Sequence, residues 1–184
     1  TYKFLTNKEL RESTIAISGV GKVGSKLSKL LFEKKVNLIV SNVGRDPIDQ
    51  LKHDKISFTE SDINSIFEQE CDIISPCALG GAINSETKKK FKCKAIIGAA
   101  NNQLDKPETA EWLKENNIFY APDYLVNSGG VIAISCEINN SEEILEDQLN
   151  KINDKVLSLL KESKKSSLST EKIVEDLAWK RINS

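Results

Sequence analysis

The sequence is poor in the residues that bind metals or cross-link secreted domains. It has a single histidine, His53, and four cysteines with no CxxC pair among them: Cys71, Cys77, Cys93 and Cys136. Without a cluster of soft ligands, a zinc site is not expected. Because most of the cysteines lie in or beside apolar runs, we interpret them as buried, reduced thiols of a cytosolic protein.

Long apolar runs and a charge imbalance are also absent. Lysine and arginine total 26 and aspartate and glutamate 27, so the formal net charge is -1 and does not favour a nucleic-acid or membrane partner. No apolar run reaches the roughly 18 residues of a membrane span. Residues Thr1–Leu10 lack the pattern of a signal peptide. The chain also lacks an initiator methionine, which indicates a trimmed chain or a fragment, and we expect a cytoplasmic location.

Short apolar runs alternate with amphipathic stretches through the 184 residues. The runs predicted as strands are Thr14–Ser18, Asn37–Ser41, a weaker Ile56–Thr59, Cys71–Ser75, Ala95–Ala99 and Ile118–Ala121. The stretches predicted as helices are Val23–Glu33, Asp62–Gln69, Asn84–Phe91 and Pro107–Asn116. Near-continuous apolar strands are typical of a parallel sheet covered by helices on both faces. This alternation predicts an α/β, doubly wound fold.

A glycine-rich segment of the form GxGxxG directly follows the first predicted strand. Gly19 permits a tight turn, Gly21 allows a pyrophosphate to approach the backbone, and Gly24 allows close packing of helix and strand. The free N–H groups at the start of the helix then favour an anion. We expect the dinucleotide to contact Gly19, Val20, Gly21, Lys22, Val23, Gly24 and Ser25. The alternative is a glycine-rich turn that binds nothing.

The end of the second strand departs from the usual dinucleotide-binding pattern. An acidic residue is expected there to bind the ribose hydroxyls, but Asn42 occupies the position and Val43 follows it. An amide still forms hydrogen bonds with a ribose but does not repel a 2′-phosphate, and Arg45 is near enough in sequence to pair with one. The interpretation of Arg45 as a solvated loop charge is also open, as is a loop position for Asp46. We predict NAD as the cofactor, with NADP as the alternative.

The rest of the chain predicts helices. One runs from Gly129–Gly130 to Asn139, a long amphipathic one covers Ser141–Leu160, a loop covers Lys161–Thr170, and the last helix ends at Ile182. We therefore predict a Rossmann dinucleotide-binding domain over residues 1–140. Residues 141–184 are predicted to form C-terminal helices that pack on it or beside it.

Three further segments carry a family resemblance. They are Cys71–Gly81 (CDIISPCALGG), Ile97–Leu104 (IGAANNQL) and Tyr120–Ile132 (YAPDYLVNSGGVI). In this order behind GxGxxG, they resemble the glutamate, leucine, phenylalanine and valine dehydrogenases, and most closely the leucine dehydrogenases. The resemblance is good over residues 14–138 and loose beyond. It implies oxidative deamination of an apolar L-amino acid to its 2-oxo acid and ammonia.

The resemblance also assigns roles to individual residues. It implies that Cys77, Ala78 and Leu79 pass along the nicotinamide ribose, and that Asn101 and Asn102 contact the nicotinamide side, with Asn102 matching the family position better. Structural alternatives are an apolar turn for the first group and turn asparagines for the second.

The substrate assignments rest on the same resemblance. It implies that Asn127 contacts the amino acid and that Val156, with Leu159, lines its side-chain pocket. A helix-capping role for Asn127 and a core role for Val156 are the alternatives. The family's N-terminal substrate domain, which bears the catalytic lysines and aspartate, is absent from this chain, so we name no catalytic residue and expect cofactor binding without turnover. A homo-oligomer is expected. A non-catalytic nucleotide-binding regulatory module is the alternative function, and a scaffold that binds no nucleotide is a third.

Overall fold

The structure is a computed structural model that describes residues 1–183. Its centre is one six-stranded sheet in the order β3-β2-β1-β4-β5-β6, and all five pairings are parallel. The strands are β1 (Thr14–Ser18), β2 (Asn37–Ser41), β3 (Thr59–Glu60), β4 (Ile73–Pro76), β5 (Ala95–Ile96) and β6 (Phe119–Tyr120). This strand order is that of the doubly wound dinucleotide-binding fold, so the predicted fold class is confirmed.

Eight α-helices are formed by the described residues. They are α1 (Tyr2–Thr6), α2 (Lys22–Glu33), α3 (Asp46–His53), α4 (Pro107–Glu115), α5 (Asp123–Val126), α6 (Gly129–Ile138), α7 (Leu145–Ser163) and α8 (Thr170–Ile182). Four 3-10 turns lie at Leu10–Glu12, Ile66–Glu68, Thr87–Lys90 and Glu142–Ile144. No helix in this part of the chain combines the length and apolarity needed to cross a membrane.

Two predicted helices are replaced by short 3-10 turns. At Asp62–Gln69, the side chain of Asp62 accepts the N–H of Asn64 at 2.8 Å. At Asn84–Phe91, the side-chain oxygen of Asn84 accepts the N–H of Thr87 at 3.1 Å. Such local side-chain bonds offer the backbone an alternative to a continuous helix. Both helix predictions were wrong for this reason.

Helix α2 packs on the sheet with only part of the apolar face that Val23, Leu27, Leu30 and Leu31 predict. Gly24 and Ser28 are buried, and Leu27 packs against the core beside them. This packing turns Val23 and Leu30 outward, and they are 56% and 55% exposed. Gly24, Leu27, Ser28 and Leu31 are three or four positions apart and share the helix face that meets the core. The predicted face is therefore confirmed at Leu27 and Leu31 and wrong at Val23 and Leu30.

The core lies on both faces of the sheet. Ile15, Ile17 and Ile73 point to one face, while Ala16 and Ile74 point to the other, as the alternation along a strand requires. The first face also includes residues of α7, so the C-terminal helices pack on the same core as the strands. The division of the chain at residue 140 therefore remains a prediction.

The four cysteines are free thiols. Cys93 and Cys136 are buried, as predicted, but Cys71 and Cys77 are only partly buried. Burial raises the pKa of Cys71 to about 11 and that of Cys93 to about 12.

Candidate functional site

The glycine loop joins the end of β1 to the start of α2, and two of its glycines are fixed by packing. Gly19 has a φ of +95°, and a Cβ there would lie 2.6 Å from the Cβ of Ala78. A Cβ on Gly24 would lie 2.0 Å from the carbonyl oxygen of Gly19. Because both clashes involve the backbone or a neighbouring loop, these positions accept only glycine without a shift of the chain.

The third glycine has a different environment. A Cβ on Gly21 would meet nothing within 4 Å. Gly21 is the N-cap of α2, and no side chain of residues 1–183 caps that end of the helix. The first N–H groups of α2, beginning at Lys22, thus face open space with the positive end of the helix dipole behind them. This is the arrangement that binds a phosphate group.

Asn42, at the end of β2, is hydrogen-bonded to the glycine loop itself. Its side-chain oxygen accepts the N–H of Val20 at 3.0 Å, and its amide donates to the carbonyl of Gly44 at 2.9 Å. The adjacent N–H of Gly19 donates to the carbonyl of Ser41 at 2.8 Å. Asn42 therefore holds the loop in place, while Val43 beside it is 89% exposed.

Arg45 is held by carboxylates. It pairs with Asp49 at 3.1 Å and with Glu60. Glu60 also pairs with Lys52 at 3.1 Å. The hydrogen bond from Lys52, together with the nearby Arg45, lowers the pKa of Glu60, so this carboxylate is ionised at neutral pH. Arg45 is the N-cap residue of α3, a helix that the sequence does not predict.

The loop after β4 packs against the glycine loop. The N–H of Cys77 donates to the carbonyl of Ser18 at 2.7 Å, and Ala78 lies against Gly19. Leu79 projects outward and is 82% exposed. The predicted cofactor residues after β1 and β4 are thus neighbours at the carboxyl edge of the sheet.

The loop after β5 brings together two asparagines that are 26 residues apart. The side-chain amide of Asn127 donates to the side-chain oxygen of Asn101 at 2.5 Å. Asn102 instead has a φ of 52°, and its N–H donates to Asp123 at 2.6 Å. Ser128, not Asn127, is the N-cap of α6, so the capping alternative for Asn127 is wrong.

A partly buried polar cluster behind these loops was missed by the sequence analysis. Asp123 is 9% exposed and accepts the N–H of Asn102 and, at 3.4 Å, the hydroxyl of Tyr120. The hydroxyl of Tyr124 donates to Glu171 at 2.9 Å. Burial raises the pKa of Glu171. Asp123 and Tyr124 lie in a segment that carries the resemblance, but nothing local identifies Glu171 as their neighbour.

Val156 is surrounded by core residues and not by the loops described above. It is 5% exposed and belongs to the core cluster that contains Ile15 and Leu160. Its packing agrees with the core role left open by the sequence, and its role in a substrate pocket stays a prediction.

Comparisons with known proteins identify relatives of this chain. The sequence model of the Glutamate/Leucine/Phenylalanine/Valine dehydrogenase family matches residues 37–177. The phenylalanine dehydrogenase of Thermoactinomyces intermedius is 36% identical over 99% of this chain and 50% of its own length. The leucine dehydrogenase of Bacillus subtilis (strain 168) is 37% identical over 94% of this chain and 48% of its own. The chain thus spans about half the length of these curated relatives.

A solved structure supports the same relationship. The L-tryptophan dehydrogenase of Nostoc punctiforme superposes with a TM-score of 0.88 at 34% identity, covering 93% of this chain and 52% of that one. A hetero-hexameric glutamate dehydrogenase from Thermus thermophilus, with a TM-score of 0.70 at 18% identity over 92% of this chain and 45% of that one, shares the fold.

Proposed function

Because this chain belongs to the Glutamate/Leucine/Phenylalanine/Valine dehydrogenase family, we propose that it is the NAD-binding domain of an enzyme that oxidatively deaminates an apolar L-amino acid. The observation that carries the proposal is the open N-terminus of α2. It combines a bare Gly21 with uncapped N–H groups, and its two flanking glycines are required by packing.

Each part of the carboxyl edge has a proposed role. The N–H groups of Lys22 and Val23 hold the pyrophosphate, with Ser25 fixing the loop through its bond to the carbonyl of Val20. Asn42 and Val43 lie where the adenosine ribose would sit. Bound nicotinamide supplies the hydride acceptor, and the protein supplies its position and surroundings.

The loops after β4 and β5 are proposed to line the nicotinamide half. Cys77, Ala78 and Leu79 form one wall and Asn101 the other. Asn127, through its bond to Asn101, then links the cofactor side to the amino-acid substrate. Since both amides remain neutral at physiological pH, they orient groups and do not transfer protons. We therefore expect no turnover from this chain alone.

The charges near Asn42 favour NAD over NADP. Arg45 is the nearest arginine in sequence, but its guanidinium is engaged by two carboxylates, Asp49 and Glu60. Glu60 and Asp62 also line a cavity that Asn42 borders. A 2′-phosphate placed there would meet the ionised carboxylate of Glu60 and would need Arg45 to leave its partners.

Calorimetric titration of the chain with NADH and NADPH tests the proposal. We expect saturable NADH binding, weaker NADPH binding, and loss of both in Gly21→Val. Leu30→Val is the matched control, because it places the same side chain at an exposed position of the same helix and should bind normally. A folded chain that binds neither nucleotide would contradict the proposal and favour a scaffold.

An activity assay and the gene sequence upstream of Thr1 distinguish the proposed enzyme from the alternative, a non-catalytic regulatory module. Reduction of NAD by the chain with L-leucine or L-phenylalanine would refute the expectation of no turnover. A lysine-bearing substrate domain encoded in frame upstream of Thr1 would support the enzyme. Its absence from the gene, with NADH binding intact, would support a nucleotide-sensing module, to which the uncharged Asn42 is suited.

A further inference from the structure

A cavity lies at the edge of the sheet opposite the glycine loop. Its volume is about 330 Å³. It is bordered by Lys94, which precedes β5, and by Phe119, the first residue of β6. Lys114 near the end of α4 and Lys164 just after α7 complete the rim. In a parallel sheet the starts of the strands are remote from the carboxyl ends, so this cavity is separate from the proposed NAD site.

The cavity is lined by three lysines and by no carboxylate. Lys94 forms an ion pair with Asp72, which does not line the cavity. The Nζ of Lys94 is 2.6 Å from the Oδ1 of Asp72. Lys114 donates to the backbone carbonyl of Ser163. Lys164 donates to the backbone carbonyl of Phe4 at 3.5 Å, and its Nζ lies 4.6 Å from the centroid of the Phe4 ring. Within residues 1–183, neither Lys114 nor Lys164 forms an ion pair with a carboxylate.

Helix ends offset part of this positive charge. Helices α4 and α7 both end at the cavity, and each C-terminus carries about half a negative charge. Two unpaired ammonium groups against two such ends leave a surplus of about one positive charge. Each ammonium has three N–H donors, of which a carbonyl occupies one, and that of Lys164 also lies against the Phe4 ring. The rim can therefore bind one monovalent anion.

The remaining lining combines apolar side chains with the polar residues Asn117, Ser163 and Thr170. Leu5, Ala110, Ile118 and Leu160 contribute to it, and the last three are almost fully buried. The volume lies at the low end of the roughly 300–1,000 Å³ that small-molecule pockets span. We propose that this cavity binds a small organic monocarboxylate, with the carboxylate between Lys114 and Lys164 and the apolar body against Ile118 and Leu160.

Two sources present this chemistry. One is a short fatty acid, and the other is an apolar 2-oxo acid of the class that the proposed function would release. The site itself does not depend on the proposed function, because its residues are at the other edge of the sheet. Preference for 4-methyl-2-oxopentanoate over hexanoate would identify the 2-oxo acid as the source, and the reverse preference would identify a fatty acid.

Calorimetric titration with these two acids, with 1-hexanol as the neutral analogue and with inorganic phosphate, tests the site. We expect the acids to bind, and hexanol and phosphate to bind at least about tenfold more weakly, equivalent to about 1.4 kcal/mol. Saturating NADH should leave acid binding unchanged. Displacement of the acids by NADH would instead locate them at the carboxyl edge and overturn the proposal.

Charge-removing variants locate the carboxylate. Lys114→Gln and Lys164→Gln keep a side-chain donor for the backbone carbonyls, so each should stay folded and bind either acid about tenfold more weakly. Lys165→Gln is the control, because Lys165 is exposed, adjacent in sequence and outside the cavity lining. If Lys114→Gln fails to fold by circular dichroism, Lys164→Gln carries the test. Wild-type affinity in the folded variants, or no saturable binding of either acid, would overturn the proposal.

Discussion

Replacing Gly24 and Gly21 separately by alanine should separate the stability of the glycine loop from its ability to bind a cofactor. Both residues belong to the GxGxxG segment, and both substitutions add one methyl group. At Gly24 the new Cβ would lie 2.0 Å from the carbonyl oxygen of Gly19. At Gly21 it would meet no atom within 4 Å. The same chemical change therefore has opposite physical consequences three residues apart.

The expected magnitudes follow from these surroundings. Alanine in place of Gly24 gains about 1 kcal/mol of helix propensity. Overpacking against backbone costs about 1–3 kcal/mol or more. The upper part of that range applies because Gly19 has little room to move away from the new methyl group. Gly19 is itself packed so closely against Ala78 that a Cβ on Gly19 would lie 2.6 Å from the Cβ of Ala78. We expect a net loss of about 2 kcal/mol for Gly24→Ala, and less than about 1 kcal/mol for Gly21→Ala, which only weakens a helix cap.

Urea unfolding and NADH titration measure the two effects independently. With a slope of about 2 kcal/mol per molar urea, Gly24→Ala should lower the unfolding midpoint by about 1 M. Gly21→Ala should change the midpoint by less than half of that. It should also weaken NADH binding at least about tenfold, since its methyl group would occupy the proposed path of the pyrophosphate. Equal midpoints for the two variants, or full NADH affinity in Gly21→Ala, would refute the argument.

Three further predictions concern single side chains. Asn42→Asp should raise the ratio of NADH to NADPH affinity about tenfold in calorimetry, because a carboxylate repels the 2′-phosphate. Burial raises the pKa of Glu171 above its ordinary value near 4.5; the folded state then holds this proton more tightly, so the urea midpoint should fall as pH rises from about 4.5 towards neutrality. Glu171→Gln should reduce that fall, and an unchanged pH profile would exclude the residue as its source. Iodoacetamide should alkylate Cys77 before Cys71 and Cys93, because the pKa values of those two thiols are raised to about 11 and about 12. Mass spectrometry should show that NADH slows the alkylation of Cys77. An alkylation rate that NADH does not change would contradict the proposed contact between Cys77 and the cofactor.

The elements that could be predicted from sequence are those whose local pattern agrees with their tertiary environment. Strands β1 and β2 have the predicted bounds because they are central, continuous and apolar. The last helix, α8, begins at Thr170 as predicted, where the preceding Ser169 accepts the N–H of Lys172 at 3.3 Å. Helix α3 was not predicted, because its surface is mostly polar and only Ile48 and Leu51 are buried.

In the candidate site too, features set by local sequence could be predicted, and features set by contacts between distant segments could not. The GxGxxG segment predicts its own geometry because the turn, the close packing and the helix start are all local. Contacts between distant segments could not be predicted, such as the bond between Asn101 and Asn127 or the one between Lys114 and Ser163. In each case an ordinary polar residue gains its role from the order of the strands, which sequence spacing does not encode.

The contacts of Asn42 show why an asparagine can replace the usual acidic residue at the end of β2 in the proposed dinucleotide site. Its amide makes two contacts of opposite polarity, accepting from Val20 and donating to Gly44. A carboxylate only accepts, so an aspartate there would keep the first contact and face the carbonyl oxygen of Gly44 with the second. The asparagine thus stabilises the loop that we propose as the pyrophosphate site, while the carboxylates of Asp49 and Glu60 engage the guanidinium of Arg45. If the proposed NAD preference is correct, discrimination against NADP in this chain depends on the charges around α3 and β3, and not on the residue at the end of β2.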